Sequence, residues 1–152
     1  MNALSSSDLF KFTRIQIRTK RFFIPLALER VAAGFPSPAI DHTEDDIDFN
    51  ELLVGNKSAT FTARVKSESM IGIGIGIGDL IVVDRSIKPV HRHIVIAKYN
   101  GDYTLKRLMI EQSGNVWLKP ESTEYQPIIP REGDNITIWG VVTFTIKNMI
   151  HC

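Results

Sequence analysis

Apolar and polar positions become regular from about residue 60 onward. Between Thr60 and Lys66, Phe61, Ala63 and Val65 alternate with Thr62, Arg64 and Lys66, the period of a strand with one buried face. Leu80-Ile81-Val82-Val83, set between Asp79 and Asp84, and Ile94-Val95-Ile96-Ala97 are short apolar runs that suit buried strands. Asn100-Gly101 predicts a tight hairpin leading into a strand over residues 103–110. Ser113-Gly114-Asn115 turns the chain into Val116-Trp117-Leu118. In the last segment Ile136, Ile138, Val142, Phe144 and Ile146 are expected to share one strand face, with Gly140 as a bend or bulge. Short strands joined by tight turns predict a mainly β protein: a small, twisted, partly closed β-barrel-like domain over residues 58–152.

The preceding third of the chain lacks this order. Residues 1–9 carry Ser5-Ser6-Ser7 and no pattern, and residues 10–31 mix apolar and basic side chains without a clean period. Gly34-Phe35-Pro36-Ser37-Pro38 breaks any regular element, its prolines holding the backbone extended. A single short helix is expected at Phe49-Asn50-Glu51-Leu52-Leu53, with Asp48 as N-cap and Glu51 in a capping-box relation to it. The expected organisation is an N-terminal arm (residues 1–33), an extended linker with that helix (34–57) and the β-domain (58–152).

Composition sharpens this picture in a few places. With 152 residues, 43% apolar and 23% charged, the chain suits one domain plus an arm. A net charge of +1 argues against a general polyanion binder. The charge is unevenly spread, however: residues 1–33 carry Lys11, Arg14, Arg18, Lys20, Arg21 and Arg30 against Asp8 and Glu29. Asp41, Glu44, Asp45, Asp46, Asp48 and Glu51 follow with no basic residue before Lys57. A solvated basic arm and an acidic linker account for this, and docking on an acidic partner is the sharper alternative. Cys152 is the one cysteine, so no internal disulfide can form, which fits a reducing cytoplasm. No apolar run approaches a membrane span. The basic-then-apolar stretch around Phe22-Phe23-Ile24-Pro25-Leu26 imitates a signal peptide but is short, contains Pro25 and stops at Glu29-Arg30.

Three features carry chemistry. Ser69, in Ser67-Glu68-Ser69-Met70 at a strand end, places a hydroxyl at a turn whose backbone N–H groups can face a developing oxyanion. Lys106, in Tyr103-Thr104-Leu105-Lys106-Arg107-Leu108, shares a strand face with Leu108 and Ile110, so desolvation is expected to favour its neutral amine. Such an amine can take a proton from a serine. Ala33-Gly34 is a small-residue junction before a proline-extended segment, suited to a narrow protease cleft. Each has a plainer reading: an idle loop serine, a lysine reaching past its neighbours to water, a flexible linker. The repeat Ile71-Gly72-Ile73-Gly74-Ile75-Gly76-Ile77-Gly78 is expected to be a pliable loop with isoleucines tucked under it. It lacks the Lys-Ser/Thr ending of a phosphate-binding loop. His91 and His93 are too few for a closed metal site, and no metal or cofactor is expected.

These features fall in a familiar order. Ala33-Gly34-Phe35-Pro36-Ser37-Pro38-Ala39, Ile47-Asp48-Phe49-Asn50-Glu51-Leu52-Leu53, Ser58-Ala59-Thr60, Ser69-Met70-Ile71, Gly78-Asp79-Leu80-Ile81-Val82-Val83-Asp84, Tyr103-Thr104-Leu105-Lys106-Arg107-Leu108 and Trp139-Gly140-Val141-Val142 together resemble the family of UmuD- and LexA-type self-cleaving serine–lysine peptidases. The resemblance implies that Ser69 attacks the carbonyl of Ala33, that Lys106 is the general base, and that backbone N–H groups of Ser69 and Glu68 hold the oxyanion. It further implies a cytoplasmic homodimer stimulated by a RecA–DNA filament after DNA damage. The shortened chain then serves a UmuC-type error-prone polymerase in copying past lesions. Membrane attachment is not expected, because no apolar run is long enough to span, nor is sequence-specific DNA binding, because the 33 residues before Gly34 lack two capped amphipathic helices. The sequence departs from the family at Ser67-Glu68, where Gly-Asp is usual, in the Ile-Gly repeat, where the loop is usually polar, and at His91-Arg92-His93, where a glycine is usual. The alternative function is a non-cleaving β-domain that only docks on a polymerase.

Overall fold

The computed structural model describes residues 13–15, 23–24 and 47–151. They fall into two compact units, one holding residues 13–15 and 56–151 and the other 23–24 and 47–55. The expected cleavage site at Ala33 and Gly34, between arm and linker, lies outside the described residues.

In the smaller unit, β2 (Phe23–Ile24) pairs antiparallel with β3 (Ile47–Asp48), and α1 (Phe49–Leu53) follows directly. Asp48 caps α1 as expected: its Oδ1 accepts the Asn50 N–H at 2.9 Å, answering one of the unpaired donors of the first turn.

The larger unit is one antiparallel sheet. Its strands are β1 (Thr13–Arg14), β4 (Thr60–Arg64), β5 (Leu80–Asp84), β6 (Ile94–Tyr99), β7 (Asp102–Ile110), β8 (Val116–Lys119) and β9 (Ile136–Ile146), in the spatial order β1-β4-β5-β9-β6-β7-β8. The expectation of a mainly β domain holds. The sheet is open, with β1 and β8 as its outer strands. The β6–β7 hairpin turns at Asn100 and Gly101, with φ of 47° and 93°. Positive φ at both central residues matches the twist of the flanking strands, which is why Asn-Gly predicts this turn.

Two apolar clusters cover the two faces. Ile96 and Leu105 belong to one, with Ala63, Val65, Met70, Ile75, Ile81 and Val83. Val95, Ala97 and Leu108 belong to the other, with Leu118 and Val141. Sequence neighbours on β6 enter different clusters because successive strand side chains point to opposite faces.

The single apolar face expected for the last strand is not observed. Ile136 and Ile138 pack with Val141 in the second cluster, whereas Trp139 and Val142 pack against the first. Two register shifts cause this. One falls where Ile96 pairs with Gly140 but Ala97 with Ile138, the other where Val83 pairs with Val142 but Val82 with Phe144. Each extra residue reverses which side chains face the core. The first shift adjoins Gly140, the glycine expected to mark a bulge. A Cβ there would lie 2.6 Å from Val83 Cγ1, so only glycine lets β5 and β9 approach.

Candidate active site

The nucleophile candidate sits in the loop between β4 and β5. That loop is closed at its base by the Val65 N–H donating to Asp79 O and the Gly78 N–H donating to Val65 O, both at 2.9 Å. Met70, wholly buried, and Ile75 anchor it in the first apolar cluster. Ile71, Ile73 and Ile77 are exposed, so the picture of a pliable loop covering its isoleucines is corrected: only Ile75 is tucked in.

The repeat instead folds into a bonded structure. Ile71–Ile73 forms a 3-10 turn ended by Gly74 in the left-handed region, φ 84°. Gly72 presses against the segment after β8, where a Cβ would lie 2.5 Å from the Glu121 carbonyl oxygen. The Gly72 N–H donates to that oxygen at 2.7 Å, and the Glu121 N–H donates to Ser69 O at 2.8 Å. The N–H groups of Ile73, Gly74, Ile75 and Gly78 also donate to backbone carbonyls, and that of Gly76 donates to Asp79 Oδ2. Backbone donors already committed to protein acceptors leave no phosphate cradle here. Asp79 holds Lys147 as well, at 2.7 Å, and these bonds outweigh its burial, keeping its carboxyl below the usual range.

Ser69 is fully buried, and its hydroxyl donates to the Leu105 carbonyl oxygen at 3.2 Å. Lys106, only 6% exposed, extends from the next residue of β7. Its Nζ donates to the same Leu105 oxygen at 3.1 Å and to Thr104 Oγ1 at 2.8 Å. The two polar atoms of the candidate dyad are therefore no further apart than the sum of their distances to one shared oxygen. The Tyr125 ring lies beside the amine, its centroid 5.8 Å from Nζ. Burial pushes the Lys106 ammonium down to about 8, from an ordinary lysine value of 10.5.

A cavity of about 290 Å³ opens beside this amine, lined in part by Ser67, Thr104, Lys106, Tyr125, Gln126 and Ile128. Thr104 was readable in sequence as the residue two before Lys106, hence on its strand face. Tyr125 was not, because it arrives from a loop nineteen positions further on. Of the expected oxyanion donors, the Glu68 N–H meets Tyr125 Oη at a long 3.4 Å, a weak contact that a stronger acceptor can displace. Arg107 faces away from Lys106 and pairs with Glu121, which also meets Lys119. Glu121 is thereby held below the usual carboxylate range, chiefly by the Arg107 hydrogen bond. One strand thus supplies the amine and, through Arg107, steadies the segment that holds the Ser69 carbonyl.

His91 and His93 have local roles. His91 Nδ1 accepts the Ile110 N–H at 2.9 Å, and His93 Nδ1 accepts the Val90 N–H at 3.3 Å. Among the described residues, no three His, Cys, Asp or Glu side chains gather as a metal site, and no helix is long and apolar enough to cross a membrane.

Known proteins are similar along most of this length. The family model described as Peptidase S24-like matches residues 25–143. Protein ImpA of Escherichia coli is 43% identical over 122 residues, spanning 80% of this chain and 82% of its own. Protein SamA of Salmonella typhimurium is 42% identical over 119 residues, 78% and 81% of the two chains. Protein MucA of Escherichia coli is 37% identical over 125 residues, 81% and 84%. A family match across the β-domain, with relatives aligned over most of both chains, establishes that the chain belongs to the peptidase S24-like family, as a UmuD-type member.

Proposed function

We propose that this chain cuts its own Ala33–Gly34 bond with Ser69 as nucleophile and Lys106 as general base. A RecA–DNA filament stimulates the cut, and the shortened chain then serves, as a cytoplasmic homodimer, a UmuC-type error-prone polymerase in the SOS response. The observation that carries the reading is a buried, desolvated lysine amine and a buried serine hydroxyl converging on the Leu105 carbonyl oxygen.

The chemistry follows from that convergence. A neutral amine keeps two N–H bonds, enough for Thr104 Oγ1 and Leu105 O, and leaves its lone pair for the Ser69 proton. As that proton moves to Lys106 Nζ, Ser69 Oγ bonds the Ala33 carbonyl carbon and the π pair moves onto the carbonyl oxygen. Backbone N–H groups of Ser69 and Glu68 receive this oxyanion. Its collapse breaks the C–N bond, and Lys106 returns the proton to the Gly34 nitrogen. Water, deprotonated by the same amine, then attacks the ester carbonyl, and Lys106 passes that proton to Ser69 Oγ as the Ala33 carboxyl is released.

A second reading has its own support. Ser69 is wholly buried and spends its one proton on Leu105 O, as a non-cleaving module docking on a polymerase could also do. Mass measurement of the purified chain after incubation with a RecA–DNA filament separates the two. A fragment starting at Gly34, absent for Ser69→Ala, supports cleavage, and an intact wild-type chain supports the docking module.

A further inference from the structure

Ser67 supplies a second hydroxyl at the dyad: its Oγ lies 3.2 Å from Ser69 Oγ. Ser69 has one hydroxyl proton, and the Leu105 carbonyl oxygen, 3.2 Å away, can only accept it. Either hydroxyl could donate across the Ser67–Ser69 contact, and with the Ser69 proton given to Leu105 O the donor is Ser67. Ser67 also lines the cavity that exposes the Lys106 amine. Ser69 Oγ thus receives a hydrogen bond from one side while facing the Leu105 oxygen that Lys106 Nζ also meets.

We propose that Ser67 is a catalytic residue of this chain, whose hydroxyl donates to Ser69 Oγ and stabilises the negative charge that develops there as the proton leaves for Lys106. The inference rests on the Ser–Lys reading above and extends it to a residue that the dyad alone does not need. In a water-poor site, a donor already aimed at an oxygen gaining charge needs no reorganisation when the charge forms. Ser67 neither gains nor loses its own proton in the step. Once Ser69 Oγ has become an ester oxygen its pull on the donor falls, and the Ser67 hydroxyl is free to turn toward the cavity.

Cleavage rates of the full-length chain across pH, with wild type, Ser67→Ala, Ser67→Thr and Ser67→Cys side by side, test this. Ser67→Ala is expected to slow cleavage at least about tenfold at every pH, as loss of a donor to developing charge does. Its midpoint stays that of wild type, because Lys106 sets it. Ser67→Thr, which keeps the hydroxyl, stays within about threefold of wild type, and Ser67→Cys, a weak donor of similar size, follows Ala. Thermal melting checks that the variants are folded, and the Thr rescue separates a hydroxyl effect from a packing effect. A Ser67→Ala chain as fast as wild type overturns the proposal while leaving the dyad intact. So does a Thr variant as slow as Ala, or an Ala variant whose only change is a moved midpoint. If wild type and Ser69→Ala are both uncut, the dyad reading fails and this proposal fails with it.

Discussion

Ser69 and Lys106 meet at one oxygen: the Leu105 carbonyl accepts the serine hydroxyl at 3.2 Å and the lysine amine at 3.1 Å. A single acceptor bonded to both groups holds them close without joining them directly. Productive transfer needs Nζ and Oγ to come within hydrogen-bond distance, and Ser69 to turn its proton from the Leu105 oxygen to an unprotonated Nζ. A lysine at its ordinary value offers almost no such amine at neutral pH. At about 8, roughly a tenth is free.

Thr104 is expected to tune this amine. Its Oγ1 accepts from Nζ at 2.8 Å, and an acceptor favours the charged form more than the neutral one. Thr104→Val should lower the midpoint of the cleavage profile below 8 and, by freeing the amine to turn away, reduce the plateau rate about tenfold. Thr104→Ser should restore both. Rate profiles of the three chains provide the check.

The buried amine should also leave a signature in stability. Its folded value lies below its unfolded one, so the unfolded chain binds more protons between about 8 and 10.5 and stability rises with pH across that window. Above the window Lys106 is neutral in both states and its burial carries no charge penalty. As pH falls through about 8 that advantage is lost, leaving a cost of roughly 3 kcal/mol at neutral pH. In a Ser69→Ala background, which stays uncut, Lys106→Met should therefore stabilise the fold by about 1–3 kcal/mol at pH 7 and by much less near pH 10. Urea unfolding at the two pH values measures the difference.

Gly72 should be the least replaceable residue of the Ile-Gly repeat. Its missing Cβ would stand 2.5 Å from a backbone oxygen of Glu121, and relieving that clash pulls apart the Gly72–Glu121 and Glu121–Ser69 bonds. Gly72→Ala is expected to lower stability by about 1–3 kcal/mol and to abolish cleavage. Gly74→Asn should be far milder. No atom lies within 4 Å of a Cβ at Gly74, and asparagine tolerates the left-handed backbone there. Melting curves and cleavage assays of both variants test the contrast.

These contrasts mark how far local pattern reaches. Strand alternation, the Asn100-Gly101 turn and the Asp48 cap are short-range effects, and each was legible. Lys106 was legible too, because residues 106 and 108 must share a strand face whatever the fold. The β9 bulges were not, since they depend on which strand lies opposite: an isoleucine two residues from another reads as the same face until a neighbour forces an extra residue. The repeat misled for a related reason. Its order comes from Glu121, some fifty positions away, whose backbone binds Ser69 and Gly72. Tyr125 reaches the Lys106 amine in the same long-range way, and nothing near it in sequence announces that. In sequence Ser67 reads only as a serine where glycine is usual, and the fold gives its hydroxyl a partner by bringing Ser69 Oγ to 3.2 Å.

The pH dependence of self-cleavage tests the Ser69–Lys106 pairing most directly. The rate should climb about tenfold per pH unit below the midpoint, bend near 8 and level off, with Lys106→Arg inactive throughout. A rate that is flat from pH 6 to strongly alkaline conditions, or one that survives in Lys106→Arg, would contradict Lys106 as the base.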